Sequence, residues 1–335
     1  MKNEIMVSVL CLAYNHEKYI QRTINSILCQ NTNFAYEIII HDDASTDKTK
    51  DIIKKYEKKF PGKVIGIYQT INQYSQGKAI IEEYMLPVAQ GKYIAFCECD
   101  DWWISSNKLQ MQFDYMEKNP RCSLCAHNTV LHYVTEEVKD ANFNAWRRVH
   151  KINSREAFLE WKIHTSSFFM RKEEGYRPEY SRKYWFGDYV RLTTAFTHGA
   201  IMVLPFVMSQ YNYGVLSGAL HDADHVEIEK RKEKVLDRKR YLQQLDMKTN
   251  GKYKKIIRER MYLTDLEAAT LVEKESLKNA KECKAAAKTI LHSEEFRNYI
   301  KHTNIVIGIK KIIKLKIYYG ILMSRRMLKT GLNKN

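Results

Sequence analysis

No run of eighteen or more uninterrupted apolar residues occurs in this 335-residue chain, so no segment reads as a membrane-spanning helix. Gly-x-Gly-x-x-Gly and Walker-type loops are absent as well, which argues against dinucleotide oxidoreductases and P-loop nucleotide hydrolases. Proline and glycine are scarce, at five and thirteen residues, so long disordered tracts are not expected. The seven cysteines are an odd number scattered through apolar runs, which suits reduced thiols in a cytoplasm. Cys122-Ser123-Leu124-Cys125 has C-x-x-C spacing, but a strand there turns residues three apart to opposite faces, and no second pair could complete a zinc site. These read as core thiols. Met1-Lys2-Asn3-Glu4 runs straight into a strand-like segment, which predicts no secretory leader. Acidic side chains are missing from the end of the chain: none follows Glu295, while lysines and arginines continue to Lys334.

That imbalance contributes to a formal net charge of +16, which favours anionic partners: nucleic acid, sugar nucleotides or acidic lipid. An apolar content of 44% supports one large α/β domain with an appendage, or two modest domains. The pattern places a boundary near residues 218–224, dividing the chain into 1–220 and a basic, helical 221–335. In the last part, Ile305, Ile309, Ile312, Leu315, Tyr319 and Leu322 share one helical stripe among lysines. Such a helix suits either a membrane interface or packing on its own protein.

The first part alternates strands and helices. Strands are predicted over residues 6–12, 37–41, 64–68, 93–97 and 123–128, with helices over 19–30, 45–60, 78–89 and 107–119. This alternation implies a mainly parallel sheet flanked by helices, in which ligands sit outside the carboxyl ends of the strands. Beyond it, helices are expected over 154–161 and 186–198, a strand over 166–170, and short strands over 200–204 and 207–211.

The strand-end rule gathers Tyr14-Asn15-His16, Asp42-Asp43 and Glu98/Asp100/Asp101 on one rim. The last group is the sharpest signal. An apolar strand from Ile94 ends abruptly in three carboxylates, which repel one another and are costly to desolvate. Either a hard divalent cation neutralises them or they form a solvated turn before the helix near Asn107. Trp102 and Trp103 offer a sugar platform or core packing.

Three segments carry a family resemblance: Val9-Leu10-Cys11-Leu12-Ala13-Tyr14-Asn15, Ile38-Ile39-Ile40-His41-Asp42-Asp43-Ala44-Ser45-Thr46-Asp47, and Glu98-Cys99-Asp100-Asp101-Trp102-Trp103. In order and spacing they resemble family 2 glycosyltransferases of cell-surface polysaccharide synthesis, over roughly residues 5–215. The resemblance implies the GT-A nucleotide-diphospho-sugar transferase fold, a Rossmann-like α/β sheet, here with a C-terminal helical extension. It implies that Tyr14 stacks on the nucleotide base and Asp43 bonds the base edge, with Asp42 supporting the loop. Asp100 and Asp101 match the family's metal-binding aspartates, holding Mn²⁺ or Mg²⁺ on the donor diphosphate. Glu98 stands where many members carry Asp, which weakens it as a direct ligand. Asp188, in Trp185-Phe186-Gly187-Asp188-Tyr189, matches the family's general base; the bland alternative is a helix cap. Thr165 and Ser166 resemble a segment lining the donor and acceptor sugars, or else strand-end packing.

The implied activity is inverting, metal-dependent transfer of a sugar from a nucleoside-diphosphate donor to a hydroxyl of a growing, lipid-linked cell-surface glycan. The implied location is cytoplasmic, peripheral on the membrane's cytoplasmic face through the basic C-terminal helices. A nucleotidyltransferase is the alternative among enzymes, but Tyr14-Asn15-His16-Glu17 replaces the Gly-rich phosphate loop it would carry. A basic nucleic-acid-binding or anion-binding module without catalysis fits the charge alone. No recognition signature for nucleic acid is present, and none is expected as a partner.

Overall fold

The computed structural model describes residues 4–134, 139–160, 162–172, 187–215, 228–261 and 263–264. The chain divides into units Met1–Arg260 and Met261–Asn335. The expected boundary near 218–224 and the amphipathic stripe over 304–328 lie outside the described residues.

Burial explains the first layer. In strand β1 (Ile5–Ala13), Val7, Val9, Cys11 and Ala13 point to one face, and in β2 (Ala35–Asp42) Tyr36, Ile38 and Ile40 join them. Helix α1 (Ile20–Leu28) covers that face with Ile20, Thr23, Ile24 and Ile27, the i, i+3, i+4, i+7 spacing of one helical stripe. Helix α2 (Thr49–Lys59) adds Ile53 and leads to β3 (Val64–Tyr68). Strands β3, β2, β1 and β4 (Tyr93–Phe96) pair in parallel, as the alternating pattern requires.

Across the rest of the sheet the direction changes. The two-residue β5 (Trp102–Trp103) precedes helix α3 (Lys108–Lys118) and the long β6 (Cys122–Tyr133). Short strands β7 (Ala141–Asn142) and β8 (His150–Lys151) lead to helix α4 (Ser154–Leu159) and strand β9 (Phe169–Arg171). Helix α5 (Gly187–His198), strand β10 (Ala200–Tyr213) and helix α6 (Ile228–Lys248) follow. The sheet order is β3-β2-β1-β4-β9-β6-β10-β5, with β7 on β6 and β8 on β10. Strand β9 runs antiparallel between β4 and β6, so β6 and β10 keep the direction of β1.

Three expected elements differ from what forms. Residues 78–89 make a π-helical turn, Ile81–Met85, rather than a long helix. The expected strand over 166–170 starts as a 3₁₀ turn, Thr165–Ser167, before β9. The two strands expected around Pro205 are one strand whose register shifts between Leu204 and Val207, because proline has no N–H for the ladder. The cysteines among the described residues are free, and Cys122 and Cys125 are buried, as expected of core thiols.

Two buried polar groups fix the sheet's interior. Glu37, fully buried on the face opposite α1, accepts hydrogen bonds from the Ser8 hydroxyl at 2.6 Å and the Gln90 backbone N–H at 2.7 Å. Ser8 in turn accepts from the N–H of Gly91 at 2.8 Å. Only glycine fits there, since a Cβ would lie 2.4 Å from the Ser8 backbone nitrogen. Lys108, the first residue of α3, is fully buried with its Nζ 4.0 Å from the Trp103 ring centroid and no hydrogen-bond partner.

Burial pushes the Lys108 ammonium down to about 7. Between pH 7 and 10.5 the unfolded chain then binds a proton that the folded one does not, so folding stability rises with pH over that window. Lys108→Met is expected to stabilise the protein by a few kcal/mol at pH 7, with the gain shrinking towards pH 10. Urea unfolding at both pH values measures it; a pH-independent gain refutes a neutral buried lysine.

Candidate active site

The register pairs Ala13 with Asp42, so the loops that follow β1 and β2 emerge side by side. Those loops are laced together. Asn15 takes a left-handed φ of 55°, a conformation its short amide tolerates, and its Oδ1 accepts the Thr46 N–H at 2.8 Å. Ser45 Oγ accepts the Asn15 N–H at 3.0 Å, while Asp47 Oδ2 accepts the Glu17 N–H and Glu17 Oε2 the Lys48 N–H. Ala44 is held at φ 62°, a strained conformation for a residue with a Cβ. Tyr14 is half-buried at this seam.

The same loop supports the start of the next helix through Asp47. Asp47 Oδ1 accepts the Thr49 N–H at 2.9 Å at the start of α2. Asp43 faces elsewhere: its two carboxylate oxygens accept the N–H groups of Gln73 at 2.7 Å and Tyr74 at 2.9 Å. Asp43 thus clamps the loop after β3 against the rim. Asp42 is fully buried, and burial raises its carboxyl above the usual range against the pull of Ser45 and Lys50.

The acidic loop is built from below. Cys97 and Cys99 donate their N–H groups to the carbonyls of Leu10 and Leu12, which extends the β1 pairing past the end of β4. The Thr23 hydroxyl, on α1, contacts the carbonyls of Cys99 at 3.0 Å and Asp101 at 2.6 Å. Trp103 and Trp102 then pair with Ser209 and Gln210 of β10, closing the loop's far end. Both tryptophans are buried, Trp102 beneath the Arg22 guanidinium at 3.6 Å, so they serve packing rather than an open platform.

Within this frame Asp100 and Asp101 are buried, 7% and 1% exposed. Asp101 Oδ1 accepts the Asn212 N–H at 2.9 Å, and the Asn212 amide donates to the Asp100 carbonyl. Asp100 Oδ1 and Asp101 Oδ2 have no hydrogen-bond partner. Burial raises Asp101 well above the carboxylate range, reinforced by the charges of Asp100 and Glu98. Glu98 is pushed up to about 8 by burial and then by Asp100 and Asp188, with Arg191 opposing. Asp188, whose charge is among those that raise Glu98, lies in the first turn of α5.

Burial also raises Asp188, against the Tyr189 N–H that bonds it at 2.7 Å and the Arg191 charge. Arg191 is held by Glu82 of the π-helical turn and lies 5.4 Å from the Phe96 ring centroid. Thr165 and Ser166 lie behind the rim. The Ser166 hydroxyl is bonded to His164 Nδ1 and Ser209 Oγ, both at 2.9 Å, and its carbonyl takes the Trp103 indole N–H. Ser166 is 1% exposed and Thr165 8%, so both shape the wall from within. His164 stacks on Tyr211 at 4.0 Å, and burial lowers its imidazole to about 3, leaving it neutral beside Asp101.

Asn212, Arg191 and Tyr211 carry no role in the sequence reading, and His16 stands on the rim there without one. Their only signal was position, since each reaches the rim through pairing or helix packing. Among the described residues, no group of three His, Cys, Asp or Glu side chains stands close enough to hold a metal alone. The two unbonded carboxylate oxygens still fit a cation that takes its remaining ligands from a diphosphate. A cleft of about 400 Å³ lies elsewhere, lined by Lys151, Phe196, His198, Ala200 and Tyr253 at the starting end of β10, and carries no carboxylate. Among the described residues, no helix is long and apolar enough to cross a membrane.

Residues 8–177 match the sequence model of Glycosyl transferase family 2. An uncharacterized protein of Mycobacterium tuberculosis, Rv1520, is 30% identical over 221 residues, covering 64% of this chain and 62% of that protein. The chain thus spans less than two thirds of that relative's length. The Escherichia coli protein WfaP, named a UDP-Glc:alpha-D-GlcNAc-diphosphoundecaprenol beta-1,3-glucosyltransferase, is 40% identical over 112 residues, covering 33% of this chain and 41% of WfaP. Among solved structures, S. aureus TarS 1-349 in complex with UDP-GlcNAc superposes with a TM-score of 0.58 at 19% identity, covering 77% of this chain and 72% of that one. At that identity the likeness concerns the fold.

The Asp43 clamp has a direct consequence. Asp43→Ala leaves the Gln73 and Tyr74 N–H groups without their acceptor, at a cost of about 1–3 kcal/mol. Hydrogen exchange at those two amides is expected to accelerate well beyond that of β2. Unchanged protection there would show that the loop holds itself.

Proposed function

The chain belongs to glycosyl transferase family 2, and from that premise we propose an inverting, metal-dependent transfer of a sugar from a nucleoside-diphosphate donor to a glycan hydroxyl. One observation carries the reading: Asp100 Oδ1 and Asp101 Oδ2 stand buried and without hydrogen-bond partners in the loop that follows β4. A diphosphate held at that loop would present its anomeric carbon towards a carboxylate on the far side. Single displacement with inversion follows from such an arrangement.

Each residue has a role in this reading. Tyr14 stacks on the nucleotide base at the seam of the first two loops. Asp43 bonds the base edge through lone pairs that its two backbone partners leave free. Asp100 and Asp101 would hold Mn²⁺ or Mg²⁺, which would supply Lewis acidity for the leaving diphosphate. Asp188 takes the proton from the acceptor hydroxyl; burial raises its carboxyl above the usual range, which strengthens it as a base. The Arg191 charge opposes that rise, favouring the ionised carboxylate. Thr165 and Ser166 give shape to the sugar pocket.

A lipid-linked acceptor of cell-surface polysaccharide is supported by the name of WfaP. In this reading residues 1–220 form the catalytic domain and the basic region 221–335 docks on the cytoplasmic membrane face. Each cationic side chain near anionic headgroups contributes about 1 kcal/mol, so several together can hold a protein at the surface.

Asp188→Asn is expected to reduce transfer at least a thousandfold while leaving the donor's thermal shift within a degree or two of the wild type. A panel of sugar nucleotides with Mn²⁺ supplies the donor; undiminished turnover in the variant refutes the base. Sedimentation with anionic liposomes should fall when residues 300–335 are removed, and equal sedimentation of both forms refutes the docking.

A further inference from the structure

His16 follows β1 by three residues, and its backbone is pinned from two sides. Its N–H donates to Thr49 Oγ1 at 2.8 Å, and its carbonyl accepts the N–H groups of Tyr19 and Ile20 at 2.9 Å. The imidazole is therefore set by α2 and by the start of α1. It is 6% exposed, and neither ring nitrogen has a hydrogen-bond partner. A buried imidazole with both nitrogens unbonded is costly and calls for a ligand.

The direction in which it points supplies one. Nε2 lies 3.9 Å from Asp100 Oδ2, and the other oxygen of that carboxylate is itself unbonded. That separation exceeds a direct hydrogen bond, which needs about 2.7–3.2 Å. It falls between the roughly 3.0 Å that separates adjacent ligands and the roughly 4.2 Å that separates opposite ones at about 2.1 Å from an octahedral ion, so a side-chain adjustment of under about 1 Å sets both atoms on one cation. The geometry points to His16 Nε2 as a nitrogen ligand of the donor-bound divalent cation, beside Asp100. This rests on the metal-dependent donor binding proposed above. His164, the other histidine near the loop, is already bonded through Nδ1 to Ser166.

A nitrogen donor changes which ion the site prefers. Carboxylate, phosphate and water oxygens accept Mg²⁺ and Mn²⁺ alike, whereas imidazole favours the later transition ions. With His16 in place the site should select Mn²⁺ over Mg²⁺. The loop after β1 then recognises the metal as well as the base.

The test uses the full chain with Mn²⁺ and UDP as the probe. Electron spin-echo spectra of the bound Mn²⁺ should show ¹⁴N modulation in the wild type and none in His16→Ala, with Mn²⁺ affinity lowered at least tenfold. His16→Gln preserves the volume should the alanine variant fold poorly; it should also lose the modulation and narrow the Mn²⁺ over Mg²⁺ preference. Bound Mn²⁺ without ¹⁴N modulation, or modulation that survives both substitutions, overturns the ligand assignment and leaves the glycosyltransferase reading intact. Failure of the wild type to bind Mn²⁺ with UDP overturns the metal-dependent reading and the His16 role together.

Discussion

Carboxyl groups crowded at the end of one strand set the constraint around which this structure is organised. Glu98, Asp100, Asp101 and Asp188 converge there, and like charges at about 4 Å repel by about 4 kcal/mol in a partly screened protein environment. The fold holds them by fixing backbone rather than by supplying positive charge. Thr23 bonds the loop from α1, Asn212 holds it from β10, and the β5–β10 pairing anchors its exit. Arg191 is the cation whose charge opposes the raised pKa of both Glu98 and Asp188. The remaining repulsion is what a bound cation would relieve in the proposed reading.

The neighbouring loops are built in the same manner. Asn15, Ser45, Glu17 and Asp47 exchange hydrogen bonds between the ends of β1 and β2, so the surface that Tyr14 would offer a base is held before any ligand arrives. Asp43 extends that order to the loop after β3. Interactions made in advance do not have to be ordered on binding, and that lowers the entropic cost of holding a flexible nucleotide sugar.

The parallel half of the sheet was legible because its apolar runs are short, evenly spaced and separated by amphipathic helices. The family's three segments lie at strand ends, so their place on one rim followed from chain direction alone. Ser166 and the two tryptophans were harder. A serine near a histidine, or adjacent aromatics after an acidic motif, can face a ligand or the core with the same sequence. Here the Ser166 hydroxyl is taken by His164 and Ser209, and the tryptophans lie under Arg22 and beside Lys108. No local pattern announces a fully buried lysine, since its position at the start of α3 normally faces water.

The layered α/β architecture and the rim on which the polar loops gather can be read from the chain alone. These depend on periodicity and chain direction, which are local properties. Long-range packing sets which way β9 runs, that Asp43 holds the loop after β3, and that Asn212 and His16 stand against the acidic loop. Those outcomes depend on contacts between segments dozens of residues apart, where packing and the pairing of buried polar groups select one arrangement among several that the local pattern allows.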